Sequence, residues 1–398
     1  MSAHPVSDLA VLVAPPAVPA LSVDTVSDFD SLLALEPAWN RLLDEAGIGH
    51  PFLRHEWIRT WWECFGAGKR LHVLVVRAGS EPVAIAPLML SREPMYGLPV
   101  RRLQLIGNVH TQRADFIVGR WKDKAYRAIW ECLSGQRALW DVLVLPQVPA
   151  GSPTLERLPA LAVQDGFRTG TWRGPDSPRL RLTGSWDDYF SGLDRKHRAN
   201  LRNRLKRLES LGPVEVEVVA EGPRVDPALD EGLRIEAAAW KGKAGTAIGC
   251  HAELRRFYRD LAARAAAAGW LRLHFLTVAG RRIAFGYWLC YNQKLYLLKP
   301  GYDPDYARYS PFNLLCQKVL REGFAAGIRV HDFLGAPDPW KRDWTQDVRP
   351  HYWLFVFGEG PRARLLSVVK FTLVPRVKRV VRACARFAGR SRPGVPAP

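Results

Sequence analysis

The chain has 398 residues, 47% hydrophobic and 24% charged, which is enough for two domains that each bury a core. Its six cysteines are scattered with no CxxC pair, which excludes a zinc ribbon or disulfide scaffold and fits a reducing cytoplasm. No apolar run approaches the roughly 18 residues that cross a bilayer, and the absence of Lys or Arg before Arg41 excludes a signal peptide at 9–20. The net charge of +18 is concentrated: 194–209 holds seven Lys/Arg against two acids, and 361–398 holds ten and no acid.

In chain order, residues 1–20 read as a disordered leader broken by prolines. Ser27 or Asp28 caps a helix with an apolar stripe from Phe29 to Leu43, stopped at Gly47. A second helix, 56–65, puts Trp57, Trp61 and Trp62 on one broad face, as core or as a ligand platform. A hairpin follows around AGSEP, then strands near 103–106 and 115–118, a helix at 123–133, a strand at 141–145, a helix at 153–164 and a last hairpin at 167–182. The second half repeats this plan. A helical stretch at 186–211 precedes a strand at 214–219, helices at 227–240 and 253–268, a hairpin at 273–290, a strand into 299, a helix from Pro311 and a strand at 329–336.

Residues 71–76 match 273–278 at an offset of 202, and 83–86 match 283–286 at 200, giving the first copy a loop longer by two residues. Residues 140–143 echo 331–334 at an offset of 191. Two correspondences in the same order indicate an internal duplication. The expected architecture is α/β (α+β): two tandem domains at 21–182 and 183–360, each a mixed twisted sheet flanked by helices, and a basic amphipathic tail at 361–398.

A strand that feeds a helix N-terminus makes an anion site, because the first-turn N–H groups are unpaired and the helix dipole adds positive charge. The helix at Pro311 offers one, with Ser310 as cap or hydroxyl donor, Arg308 for charge, and Lys299, Tyr309 and Asn313 around it. Ser310-Pro311 is equally a good helix start on its own.

The hairpin ending at Ala284-Phe285-Gly286, followed by Lys299-Pro300-Gly301-Tyr302-Asp303, resembles the GNAT acyltransferase superfamily. The tandem arrangement resembles its Fem-like branch, which builds peptidoglycan bridges. The group of cellulose-biosynthesis-associated acetyltransferases is similar at Pro51-Phe52, Trp57, Trp61-Trp62, Ala86-Pro87-Leu88 and Arg195-Lys196-His197-Arg198. It is also similar at Trp240-Lys241-Gly242, Ser310-Pro311, Asp332-Phe333-Leu334-Gly335, Lys341 and Trp344, so the likeness spans 25–357. The GNAT phosphate loop, Arg/Gln-x-x-Gly-x-Gly/Ala, is absent from 305–311. The resemblance therefore implies acetyl-CoA, another acyl-CoA or an aminoacyl-tRNA as donor.

Acyl transfer needs an anchored donor, a polarised carbonyl and a base. The resemblance implies a backbone N–H within 296–299 as the polariser. Asp332 is the candidate base, or else a structural carboxylate paired with Lys or Arg. Tyr302 is the candidate proton donor to the departing thiolate, and Lys341 either binds charge or is a solvated surface lysine. Trp240, Lys241 and Trp344 are candidates for the acceptor side, as are His110 and Asp115, which flank a polar loop at 108–113. No HxH or HExxH spacing is present, and no metal is expected.

The expected reaction moves an acyl group to an amine or hydroxyl of a cell-envelope or exopolysaccharide precursor, a small molecule or a glycan- or lipid-linked acceptor. The location expected is cytoplasmic, with the tail peripheral on an anionic membrane surface. The basic helix at 195–207 suits tRNA under the Fem-like alternative. A non-catalytic membrane or nucleic-acid module is the third reading.

Overall fold

The computed structural model describes residues 20–238, 248, 251–377 and 379. Trp240 and Lys241 lie outside the described residues, as do the leader to residue 19 and most of the tail beyond 377.

The first copy opens with β1 (Leu21–Val26), α1 (Phe29–Ala34), α2 (Glu36–Glu45) and α3 (His55–Phe65). Asp28 caps α1 through the Ser31 N–H at 2.8 Å. There follow β2 (Arg70–Leu71), β3 (Val73–Ala78), β4 (Glu81–Ala86), β5 (Leu88–Met95), β6 (Leu98–Leu105) and β7 (Ile117–Val118). Next come α4 (Lys122–Gly135), β8 (Val142–Pro149), α5 (Thr154–Gln164), β9 (Arg168–Arg173) and β10 (Ser177–Arg181). The second copy holds α6 (Trp186–Gly192), α7 (Arg195–Glu209), β11 (Val214–Val219), α8 (Val225–Ala238), α9 (Ala252–Ala267), β12 (Leu271–Val278), β13 (Arg281–Tyr291) and β14 (Lys294–Tyr302). It continues with α10 (Pro311–Ala325), β15 (Val330–Asp332), α11 (Pro339–Arg342), β16 (Val348–Arg349) and β17 (His351–Phe357), and α12 (Pro361–Val368) follows. The helical stretch expected at 186–211 breaks at Leu193, and Asp194 restarts it by accepting from the His197 N–H at 2.9 Å.

The duplication is visible in the strand registers. In the first copy Ala78 faces Glu81, the register shifts between Val76 and Arg77, and Leu74 faces Ala86; in the second Val278 faces Arg281, the register shifts between Leu276 and Thr277, and His274 faces Gly286. The offset is therefore 200 on both sides of the turn, and the two turns are equally long. The sequence match at 202 is an apolar coincidence, since a shift of two residues in a strand keeps every side chain on its face. Farther on, Gln104 faces Val144 where Tyr296 faces Asp332. The counterpart of Asp332 is thus Val144, not Asp141, and the echo at 191 is displaced by three residues.

The copies exchange their last strands. β10 pairs with β15 in the second sheet, and β17 enters the first sheet between β8 and β9. The hairpin expected at 167–182 does not form, because each strand finds its partner in the other half of the chain. A cut at residue 182 separates the sequence but not the sheets. A shared apolar core reinforces this: Phe52, Trp57 and Trp61 of the first copy pack with Phe257, Tyr258 and Tyr296 of the second. Trp57 meets Phe257 edge-on with centroids 5.4 Å apart.

Candidate functional site

β14 and β15 run parallel and pair only from Lys294/Val330 to Tyr296/Asp332. Beyond that point they diverge. On its other side, β14 slips register against β13: Tyr287 faces Lys299 but Trp288 faces Leu297, so Leu298 is an extra residue. The bulge residues Leu298 and Lys299 line the opening between β14 and its diverging neighbour. The resulting cleft has a volume of about 510 Å³.

The floor of the cleft is the start of α10, where Ser310, Phe312 and Asn313 line it. Ser310 takes a left-handed conformation (φ 46°) and makes no side-chain cap, so the expectation of a capping hydroxyl does not hold. Its carbonyl instead accepts from the Asn313 N–H at 2.9 Å. No acid lies in the first turn of α10, which leaves the dipole uncompensated. Lys299 and Tyr302 line the cleft, whereas Arg308 and Tyr309 do not. Tyr309 is buried, and the Arg308 and Arg207 guanidinium carbons lie 4.9 and 5.7 Å from its ring centroid. These contacts pack α7 against the turn that precedes α10.

Asp332 is not in the cleft wall. Only 1% exposed, it forms an ion pair with the fully buried Arg113. It also accepts from Ser177 Oγ at 3.2 Å and the Leu334 N–H at 3.1 Å. Burial pushes its carboxyl up, but Arg113, Arg349 and the Leu334 N–H outweigh that and hold it below the usual carboxylate range. Its geometry is that of a buried, paired carboxylate and not of one open to the cleft. Its partner Arg113 was not picked out from the sequence, because only the fold brings together residues 219 positions apart.

Lys341 does line the cleft, and its ammonium donates to the Leu334 and Ala336 carbonyls, both at 2.8 Å. It pairs with Asp338 at 3.0 Å. The lysine is buried, and these bonds tie down the turn after β15. Trp344 is buried core, edge-on to His197 at 4.8 Å.

Glu236 on α8 also lines the cleft, a residue that carried no signal in the sequence. It accepts from the Ile248 N–H at 3.1 Å. Its helix lies so close to β14 that a Cβ at Gly301 would stand 2.6 Å from the Glu236 Cα. Glu236 and Asp338 are the carboxylates among the described lining residues, and Asp338 is engaged by Lys341.

The polar loop of the first copy reaches this cleft. Gln112 accepts from the Gly335 N–H at 3.1 Å and lines the opening. The loop is held by Trp57 Nε1, which donates to Thr111 Oγ1 at 3.3 Å. His110 Nδ1 lies 3.4 Å from the Tyr258 hydroxyl, and burial, with Lys299 and His251, lowers its pKa to about 4. Asp115 is remote from the cleft: it accepts from Thr154 Oγ1 at 2.5 Å, and burial raises its pKa to about 6. Beyond Gln112 and Gly335 a second cavity of about 760 Å³ opens, walled by Glu93, Arg102, Gln104, Asn108, Trp61 and Trp353.

Residues 195–342 match the family model described as Acetyltransferase (GNAT) domain. No curated protein matches the chain. Among solved structures, FemX is similar at TM-score 0.56 and 12% identity, covering 83% of this chain and 98% of that one. The C-terminal domain of a protein described as a lysylphosphatidylglycerol synthetase from Agrobacterium fabrum is similar at TM-score 0.52 and 15% identity, covering 85% and 97%. A tandem GNAT protein from the clavulanic acid biosynthesis pathway is similar at TM-score 0.47 and 14% identity, covering 86% and 100%. Residues 195–342 thus match an acetyltransferase (GNAT) domain, and the two-copy fold of the chain is similar to that of FemX.

Proposed function

We propose that the chain transfers an acyl group, acetyl first among candidates, from a CoA thioester in the 510 Å³ cleft to an acceptor in the 760 Å³ cavity. The observation that carries this is the pairing, across one cleft, of a β-bulge at Leu298 and a helix start with no acid in its first turn. The helix N-terminus at Ser310, with Arg308 two residues before it in the chain, suits the donor's phosphates. A main-chain N–H at the bulge would suit the thioester carbonyl oxygen, on which charge develops as the acceptor attacks.

Glu236 takes the proton from the attacking amine or hydroxyl. Tyr302 donates to the departing thiolate. The new bond joins acceptor N or O to the acyl carbon as the C–S bond breaks. Asp332, Arg113 and Lys341 hold the walls and take no proton. The acceptor is a small-molecule or a glycan- or lipid-linked precursor of the envelope or an exopolysaccharide; the amide, carboxylate, guanidinium and indole groups around the second cavity suit a polar, ring-bearing molecule. The likeness to the cellulose-associated group supports the exopolysaccharide branch.

A second donor has one observation in its favour: the basic helix α7 packs through Arg207 on Tyr309, next in the chain to the cleft-lining Ser310, and would suit an aminoacyl-tRNA backbone. Isothermal titration with acetyl-CoA, longer acyl-CoAs and aminoacyl-tRNA separates the two. Saturable acyl-CoA binding without tRNA binding supports the thioester. Tight, steeply salt-dependent tRNA binding without acyl-CoA binding overturns it.

A further inference from the structure

The helix that follows β17 has two apolar faces. One is docked: Ala363 and Leu366 are buried in a cluster with Met95, Val142, Val144 and Phe357, and Phe371 packs beside them. The fit is close, since a Cβ at Gly170 would stand 2.4 Å from the Phe371 ring. The other face has no cover among the described residues. Leu365 is 51% exposed, Val368 40%, Leu373 46% and Val377 60%. A π-helical turn at Val369–Leu373 joins the two ends of this face. Its slower winding brings Leu373 and Val377 back toward the line of Leu365 and Val368, which a plain α-helix would not do.

Basic residues border the exposed face: Arg362, Arg364, Arg376 and Arg379 on described positions, within a segment of ten Lys/Arg and no acid from Pro361 onward. We infer that this face lies on an anionic lipid surface. A second copy of the chain would set ten positive charges against ten, and a nucleic acid would leave four large apolar side chains unburied. An interfacial helix satisfies both features, with apolar side chains among the acyl chains and guanidinium groups at the headgroups.

The docked face of the same helix rests on the sheet that walls the acceptor cavity: Val144 and Trp353 belong to both. Lipid binding therefore holds the sheet that walls that cavity at the membrane, where a lipid-linked acceptor presents itself. This last step rests on the proposed acyl transfer; the binding itself does not.

The test is co-sedimentation of the full chain with phosphatidylglycerol-containing vesicles and with pure phosphatidylcholine vesicles, with no donor added. Binding should favour the anionic vesicles by at least about tenfold. Leu365→Glu with Val377→Glu should abolish that preference, and Arg376→Gln with Arg379→Gln should reduce it by about tenfold. Thermal unfolding confirms that the variants, changed only at exposed positions, keep the fold. Equal binding to both vesicle types, no binding, undiminished binding of the glutamate variant, or a concentration-dependent dimer that the glutamates dissolve would overturn the inference. Loss of vesicle binding leaves acyl-CoA titration intact, so the two proposals fail separately.

Discussion

In the first copy the strand leaving Leu105 detours through eleven residues, 106–116, before rejoining its neighbour at Ile117; in the second the same strand passes from Leu297 to Gly301 with three. The detour carries Gln112 and Arg113 across to the other copy, where they contact Gly335 and Asp332. The two helix starts differ as well. Each follows a left-handed residue, Trp121 and Ser310, both at φ 46°. But α4 has Asp123 in its first turn while α10 has no acid there. One copy has turned its bulge into an interdomain brace and neutralised its helix dipole with a carboxylate. The other keeps a bulge and a bare dipole facing one cleft. On the proposed function, the duplicated fold divides the labour of holding and reacting without changing its strand order.

If that division is right, substitutions in the reacting copy and in the brace should fail in different ways. Glu236→Gln should lower kcat by about 10²–10⁴-fold with acyl-CoA affinity nearly unchanged, the range for loss of a general base; unaltered single-turnover rates would remove Glu236 from the mechanism. Asp332→Asn should act on folding instead. It strands a buried Arg113 and should cost about 3–5 kcal/mol in urea unfolding, while replacing both by apolar residues restores most of that. Full stability with lost turnover would reinstate Asp332 as the base.

Buried histidines set the acid limit. Burial lowers the pKa of His274 to about 4 and that of His331 to about 3, so both stay neutral in the folded chain. Their contribution is complete above the unfolded value near 6.5 and is lost as pH falls from there toward the folded values. Unfolding free energy should drop by about 2 kcal/mol for each histidine between pH 7 and pH 5. A flat profile over that range would show the rings solvated. Smaller still, Gly301→Ala forces α8 away from β14 and should cost about 1–3 kcal/mol, with a fall in kcat that a purely local strain would not produce.

The legible part of the molecule was what local pattern encodes. Hairpins, the helix at Pro311 and the duplication follow from apolar periodicity and turn residues, whereas the single helix expected from Phe29 to Leu43 is two, α1 and α2, divided at Leu35. What pattern cannot encode is partnership across the chain. β9 and β10 look like a hairpin because both alternate, and only the long-range pairing with β17 and β15 separates them. Asp332 looked catalytic on a strand end because its guanidinium partner lies in another domain. Glu236 sits on an ordinary helix, and nothing around it marks a carboxylate that the fold will turn to a cleft. Lys299, Ser310, Asn313 and Tyr302 do line the cleft, since each is within a turn of the strand-to-helix connection that defined it.

The most direct test of the division between the copies is to give the second helix start the carboxylate that the first possesses. Asn313→Asp puts an acid in the first turn of α10 with almost no change of shape, and Lys124→Asp makes the matching change at an exposed position of α4. Isothermal titration of acetyl-CoA should show at least about tenfold weaker binding for the first variant, as a like charge meets the donor's phosphates, and unchanged binding for the second. Equal affinity in both variants, or weakening by Lys124→Asp alone, would contradict a donor site in the second copy.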